Sequence, residues 1–260
     1  MRSSKTDSGY LKKLRKRIIT LLKKSPEKFE DEDYHKLRVE IKKLKAVAGF
    51  IQFSNKKFSK KIHLKPFKKV YKQAGKIREL QVEESFLKKN NSQFIKLYLS
   101  DLAKRIEKKK KKFATLPGKK TRRKTKKAVK GIEPFFQNTN EADSIAFIDN
   151  ERKKITQLTK ELPLEPANVH QLRKLLKEDF YNRKRMYQPS PKIKAEDDFL
   201  ELLGNWHDCA VLNNQIGKSI LKAETNSAEL AELLKINAAV SLQSENLFNE
   251  INATLEKDVF

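Results

Sequence analysis

HKLRVEIKKLKAVAGF at residues 35–50 and HQLRKLLKEDFYNR at residues 170–183 are two copies of one motif, and they decide the fold. Each copy opens with His-x-Leu-Arg and continues with apolar residues at the three- and four-residue intervals of an α-helix. In the first copy, Leu37, Ile41 and Leu44 share one arc of the helix, where they would face a core. The repeat therefore predicts two equivalent amphipathic helices.

Basic side chains form a second stripe beside the apolar arc. At about 100° per residue, the cations of the first copy fall within an arc of roughly 80°. These residues are His35, Arg38, Lys42 and Lys45. The second copy repeats the stripe with His170, Arg173, Lys177 and Lys184, with Lys174 beside them. Glu178 and Phe180 interrupt this second stripe. Because each stripe flanks the packed face, we expect it to line a groove between helices.

A second motif follows each copy of the first. It reads AGKIRELQV at 74–82 and LGNWHDCAV at 203–211, with the shared pattern Gly-x-x-(Arg/His)-(Glu/Asp)-x-x-Val. Glycine inside a helix costs about 1 kcal/mol relative to alanine, so close helix packing is expected at the glycine of each copy. Three residues later, Arg78 and His207 each add a hydrogen-bond donor.

The predicted fold class is all-α. Glycine (7) and proline (8) are scarce among the 260 residues, and no segment has the strict alternation of a strand. Prolines instead separate segments with helical period. We predict helices near residues 10–24, 33–54, 66–89, 92–114, 119–131, 141–161, 167–187, 195–222 and 226–257. The duplicated motifs predict two similar halves, residues 1–138 and 139–260, each a four-helix bundle, related by a pseudo-two-fold axis within one domain.

Charge is distributed unevenly between these halves. Residues 1–138 carry 43 Lys and Arg against 13 Asp and Glu, whereas residues 139–260 carry 16 against 20. A formal net charge of +26 costs self-repulsion in the folded state unless an oppositely charged partner is present. The composition therefore favours a polyanionic ligand.

The chain lacks signals for export or membrane insertion. Its single cysteine, Cys209, excludes an internal disulfide and a cysteine-rich zinc site. No stretch approaches the roughly 20 consecutive apolar residues that span a bilayer, and the first residues contain no apolar segment typical of a signal peptide. We expect a soluble, cytoplasmic protein.

The spacing of the cations suggests the kind of anion. Basic residues every three or four positions stand about 5–6 Å apart along a helix, which suits a flexible chain of phosphates better than a single small anion. Arginine can hold two phosphate oxygens, whereas lysine is a point charge that tolerates a sliding ligand. If the histidines contact phosphate, affinity should rise as pH falls through about 6.5. The alternative is that they are neutral, hydrogen-bonded helix residues, which the duplicated His-x-Leu-Arg setting disfavours.

With these residues the chain resembles the CHAD family of histidine-containing helical domains. The sequence His-x-Leu-Arg-Val-x-Ile-Lys-Lys-Leu-Lys is followed by Gly-x-x-Arg-Glu-x-x-Val, both motifs are repeated, and the resemblance covers nearly the whole chain. It implies two pseudo-symmetric four-helix bundles around a basic central channel. It also implies binding of inorganic polyphosphate and association with polyphosphate granules.

The resemblance further implies which residues contact the polyphosphate. They are His35, Arg38, Lys42, Lys43, Lys45 and Arg78 in the first half, and His170, Arg173, Lys174, Lys177 and His207 in the second. The family usually has arginine where this chain has Lys42, Lys43 and Lys45, and also at the position of His207. Fewer two-pronged contacts with phosphate are therefore expected, and Glu178 should weaken the second half further.

Enzymatic activity is not expected. Many CHAD domains are fused to a triphosphatase-like domain built on a β-tunnel, but no β segment is evident here. Glu40 and Glu178 do not stand at matched positions of the repeat, so a duplicated general acid and base is not evident. No His-x-x-x-His pattern or carboxylate cluster suggests a metal site, and no cofactor is expected.

Two other functions remain open. Nucleic acid is the main rival ligand, because phosphate backbones attract any protein of this charge, although no recognised nucleic-acid-binding motif is present. A scaffold that places a partner protein on a polyphosphate granule is also compatible with the sequence, which does not identify such a partner.

Overall fold

The computed structural model describes residues 4–90, 93–160, 162–187, 191–221 and 227–257, and no residue in these ranges lies in a β-strand. The α-helices are α1 Ser4–Lys23, α2 Asp31–Ser54, α3 Lys60–Leu64, α4 Lys68–Asn90, α5 Lys96–Ala114, α6 Lys119–Gln137, α7 Glu141–Leu158, α8 Pro166–Met186, α9 Pro191–Ile220 and α10 Ala228–Glu256. Short 3-10 turns precede α2, α4 and α5. The predicted all-α fold is confirmed.

Helices α1 and α9 begin earlier than predicted, at Ser4 and Pro191 instead of residues 10 and 195, and helices α6 and α3 differ for identifiable reasons. We predicted that α6 ends at residue 131, but it continues through Pro134 to Gln137, because Ile132 and Phe136 keep its apolar face buried. The short helix α3 was not predicted, since five residues are too few to show a period. It is capped by Ser59, whose Oγ accepts a hydrogen bond from the backbone N–H of Ile62 at 3.4 Å. The predicted helix ends at 92, 161, 222 and 226 lie outside the described residues.

Local capping fixes where α2, the first motif helix, begins. The backbone N–H of Glu30 donates to Asp33 Oδ2 at 2.9 Å, and the Glu30 side chain accepts from the Asp33 backbone, which forms a reciprocal capping box. Lys24 of the preceding loop donates to the same Asp33 carboxylate at 2.7 Å. In α8 the equivalent position is set by Pro166, which suits the first turn of a helix. His35 and His170 therefore both lie near the start of their helices.

Three apolar cores hold the helices together. The first lies mainly among α1, α2, α4 and α6, and the third lies among α7, α8, α9 and α10. The second joins α4 and α5 to α9 and α10, so residues from both predicted halves share one core. The division of the chain at residue 138 stays a prediction.

The two motif helices contact each other directly. Asn182 on α8 donates its side-chain amide to the backbone carbonyl of Ala46 on α2 at 3.2 Å. A buried arginine then ties α8 to α9: Arg183 Nε donates to Asp179 at 2.6 Å, and its Nη1 donates to Glu196 at 2.9 Å. Because buried charges are costly unless paired, this cluster fixes the position of α8 beside α9.

Candidate anion-binding cavity

A cavity of about 390 Å³ opens where the two copies of the His-x-Leu-Arg helix meet. It lies between α2 and α8, with α4 and α9 completing its wall. The lining residues are Arg38, Lys42, Lys45, Ala46, Tyr71, His170, Arg173, Lys174, Lys177, Glu178, Tyr181 and His207. Eight of the eleven residues predicted to bind the ligand are therefore together in one place.

The glycine of the second motif makes room for the arginine of the first. Arg38 Nη1 donates to the backbone carbonyl of Tyr71 at 3.4 Å, and a Cβ at Gly75 would overlap this guanidinium nitrogen. In the second half, Arg173 Nη2 lies 3.9 Å from the place a Cβ would take at Gly204. We expected close packing of helices at these glycines. At Gly75 the close approach is made by the side chain of Arg38, whereas at Gly204 the distance to Arg173 is an ordinary van der Waals contact.

Tyr71 positions two of the cations. The guanidinium carbon of Arg38 lies 4.8 Å from the centre of the Tyr71 ring, and Lys45 Nζ lies 3.5 Å from it. Cations are attracted to the face of an aromatic ring, so both side chains are held at the cavity without a carboxylate. Their charges remain available to an anion.

Burial and neighbouring cations lower the pKa of two lysines of the cavity, Lys42 and Lys177. Burial, together with the nearby charges of Lys177 and Arg38, lowers the pKa of Lys42 to about 7. Burial and the charge of Arg173 lower the pKa of Lys177 to about 8. Within the described ranges, no Asp or Glu forms an ion pair with either lysine. The cations thus repel one another, and a bound anion would relieve the repulsion.

Arg173 presents an unpaired donor. Its Nε is buried, and no atom of the described residues accepts a hydrogen bond from it. Burial also lowers the pKa of its guanidinium. A buried polar group without a partner costs about 1–3 kcal/mol, so an oxygen ligand at this position would be stabilising.

The two histidines of the second half lie side by side. The ring centres of His170 and His207 are 5.0 Å apart. Burial and the charge of Arg173 lower the pKa of His207 to about 4, and burial with the charges of Lys174 and Arg173 lowers that of His170. Both rings are therefore neutral near pH 7 in the free protein. Burial and the neighbouring cations thus move the expected titration from near pH 6.5 to more acidic pH.

Three predicted ligand residues do not line the cavity. His35 on α2 lies outside the lining, and partial desolvation of its ring together with the charge of Arg78 lowers its pKa. Arg78 on α4 is also absent from the lining. Lys43 lies on another side of the helix, where its Nζ binds Glu40 Oε1 at 2.7 Å. Glu40 is also 3.6 Å from Arg17 of α1.

Some lining residues were not predicted from the sequence. Tyr71 precedes Gly75 by one helical turn, so the sequence places both residues on the same face of the helix. No sequence pattern indicated that Tyr71 would contact Arg38. Tyr181 lies between apolar and basic positions of the second copy and was not singled out. Lys60, which contacts Glu178 at the cavity, comes from the unpredicted helix α3.

Among the described residues, no three His, Cys, Asp or Glu side chains are grouped so that they could hold a metal ion. In the same part of the chain, no helix combines the length and apolar character needed to cross a membrane.

Fold and cavity together define an all-helical protein in which two copies of one helix meet around a cluster of cations. The chain belongs to the CHAD domain family, whose model matches residues 12–216. The crystal structure of the CHAD domain from the plant Ricinus communis is similar, with a TM-score of 0.77 and 14% sequence identity over 97% of this chain and 91% of that chain. No curated protein sequence matches the chain. The family predicted from the motifs is confirmed.

Proposed function

We propose that the chain binds inorganic polyphosphate in the cavity between α2 and α8. The observation that supports this most directly is the convergence of six Lys and Arg side chains from both motif helices on about 390 Å³. Glu178 is the one carboxylate among the described lining residues, and it is already paired with Lys60. A ligand with several negative charges in a row matches this arrangement.

The form of the cavity favours a thin chain of phosphates. The ligand would lie between side chains from α2 and α8 in a cavity of about 390 Å³, a volume that suits a single narrow phosphate chain better than a nucleic-acid duplex. Arg38 and Arg173 offer planar donors, and the lysines offer point charges that do not require one fixed register. Polyphosphate combines high charge with a narrow, flexible backbone.

A competition experiment tests this function. Long-chain polyphosphate would compete with single- and double-stranded nucleic acids of matched charge, across about 50 to 300 mM salt. The cavity variant would combine Arg38→Ala, Lys42→Ala and Arg173→Ala. A control that removes the same number of basic side chains would combine Arg123→Ala, Lys126→Ala and Lys127→Ala, all of which are exposed on α6.

We expect polyphosphate to prevail at high salt for the native protein and for the α6 control, but not for the cavity variant. Equal losses in the two variants would mean that net charge alone controls binding, and the proposed site would be wrong.

Nonspecific nucleic-acid binding is a second candidate function, favoured by cations that lie outside the cavity. The exposed basic residues of α6 are Lys119, Lys120, Arg123, Lys124, Lys126, Lys127 and Lys130. They form a surface that a broad polyanion can reach, and such contacts weaken steeply with salt. In the competition experiment, this candidate predicts that the α6 control loses affinity for nucleic acid more than for polyphosphate.

The proposed activity is binding without turnover. Glu178 is the one carboxylate among the described lining residues, and it is paired with Lys60. The lining therefore offers no pair of carboxylates that could act as general acid and general base. Incubation with polyphosphate should release no orthophosphate.

We further propose that the protein associates with cytoplasmic polyphosphate granules, where it could also position a partner protein. Fluorescence microscopy of the native chain and the cavity variant tests this location.

A further inference from the structure

A carboxylate stands at one end of an otherwise cationic cavity. Glu178 lines the cavity from α8, and its Oε1 forms an ion pair with Lys60 Nζ at 2.8 Å. Lys60 belongs to α3, the short helix that follows α2. Both side chains are about one-third exposed, at 31% for Lys60 and 32% for Glu178. The pair therefore joins α3 to α8 across the edge of the cavity.

Gly49 allows this ion pair to lie directly against α2. A Cβ at Gly49 would overlap the Glu178 carboxylate and would stand 2.9 Å from Lys60 Nζ. Gly49 follows Lys45 by one helical turn, so the carboxylate lies where the cation row of α2 ends. Any larger residue at this position would force the ion pair outward.

The acid has no counterpart in the other half of the repeat. Lys43 follows His35 by the same interval as Glu178 follows His170, but Lys43 binds Glu40 outside the cavity. Glu178 lies eight residues after His170 on α8, which places the two about 12 Å apart along the helix. The two ends of the cavity consequently differ, with histidines at one end and the ion pair at the other.

We propose that Glu178, held by Lys60, is a specificity-determining residue that ends the site and limits the number of phosphates it holds. This inference rests on the proposed function. A polyphosphate that extended past Lys45 would bring its phosphates against the negative charge of Glu178. To bind Lys60, it would have to draw this lysine away from Glu178. Short oligophosphates can bind among the cations between His170 and Lys45 without reaching the ion pair at the edge of the cavity, whereas longer polyphosphates gain no further contact at this end.

The test measures affinity against chain length, from tripolyphosphate to chains of tens of phosphates, by calorimetry. For the native protein, affinity should stop rising once the oligomer fills the cavity. In Glu178→Gln, long chains should bind about three- to tenfold more tightly, as expected on removal of one partly exposed like charge, while tripolyphosphate changes by less than about twofold. Adding Lys60→Gln to this variant should abolish the gain, because the released lysine supplies the new contact.

Glu84→Gln is the matched control, since it removes a carboxylate from an exposed ion pair with Lys88 on α4 and changes the net charge equally. Its affinities should follow the native values at every length. The single variant Lys60→Gln gives an independent reading: by leaving Glu178 unpaired, it should weaken the binding of long chains.

An equal gain for all lengths in Glu178→Gln, or a loss, would overturn the inference while leaving polyphosphate binding intact. If the native protein bound no oligophosphate, the proposed function itself would fail.

Discussion

Arg38 on α2 lies against Gly75 on α4 so closely that a Cβ at position 75 would overlap its guanidinium. The contact links the two sequence motifs, because the glycine of one holds the arginine of the other at the cavity. The contact also explains why glycine occupies a helix interior, where it costs about 1 kcal/mol relative to alanine: any Cβ would displace Arg38.

Gly75→Ala should weaken polyphosphate binding without unfolding the protein. The new methyl group displaces Arg38 from Tyr71 and from the cavity, while the higher helix propensity of alanine offsets part of the strain. We expect about a tenfold loss of affinity, similar to that of Arg38→Ala. Isothermal calorimetry and thermal melting would measure the two effects.

Gly217→Ala is the control for this change. Gly217 also lies inside a helix, α9, but nothing lies within 4 Å of its Cβ position. Its replacement should leave affinity unchanged and raise stability slightly. An equal loss of affinity in both variants would show that Gly75 does not act through Arg38.

The motif helices and eight of the cavity-lining residues were predicted from the sequence. The exceptions are side chains whose neighbours depend on the tertiary fold. Arg38, Lys42 and Lys45 were predicted to share one arc of their helix, and all three line the cavity. Their common direction could be predicted because side-chain direction follows the helical period. Lys43 was implied by family resemblance alone, and a rotation of about 100° from Lys42 carries it to Glu40 instead.

Tertiary neighbours could not be read in the same way. Tyr71 and Lys60 lie far in sequence from the second motif copy, although both reach the cavity in the folded protein. No local sequence pattern specifies which side chains they contact there. The pKa of His207 depends on Arg173 and Lys42, which come from two other helices. Electrostatic environment is a property of the assembled fold.

Polyphosphate affinity should fall as pH rises from about 6 to 9. In the free protein, the pKa of Lys42 is lowered to about 7 and that of Lys177 to about 8. Bound phosphates favour the charged lysines and raise both values, so binding takes up protons in this interval and weakens as protons become scarce. Calorimetry at pH 8 in two buffers of different ionisation enthalpy would reveal the uptake.

Lys42→Arg is the control for the pH dependence, because arginine stays charged throughout this range. Its affinity should vary less with pH than that of the native protein. A native profile that is flat from pH 6 to 9 would contradict the role assigned to the lysines.

Lys42→Met should stabilise the free protein while it weakens ligand binding. The folded-state pKa of Lys42, about 7, lies below its ordinary value of 10.5, so the unfolded chain holds the proton more tightly. The cost to folding is full below pH 7 and is relieved as pH rises toward 10.5. Methionine removes this cost, and each kcal/mol gained should raise Tm by about 2–4 °C.

Thermal melts at pH 6 and pH 9 would check this prediction. The gain in Tm relative to the native protein should be larger at pH 6, where the native lysine is charged. Lys36→Met, at an exposed position on the same helix, serves as the control and should change Tm little at either pH. A decrease in Tm for Lys42→Met at pH 6 would mean that the lysine stabilises the fold.

His207 should gain a proton when polyphosphate binds near pH 5.5. Its pKa is lowered to about 4 by burial and by Arg173, with further lowering from His170 and Lys42. A bound phosphate chain neutralises these cations and accepts a hydrogen bond from the imidazolium, so the pKa of His207 rises toward or above its ordinary value. Histidine ring C–H resonances in NMR spectra would report the change.

His63 provides an internal reference in the same spectra. Its ring stacks on Phe58 with ring centres 4.5 Å apart and also contacts Phe135, away from the cavity lining. Polyphosphate should therefore move the His207 resonance to the position of a protonated ring and leave that of His63 in place. Since His207 is neutral in the free protein at this pH, an unchanged resonance at saturation would place the phosphates away from the histidine end of the cavity.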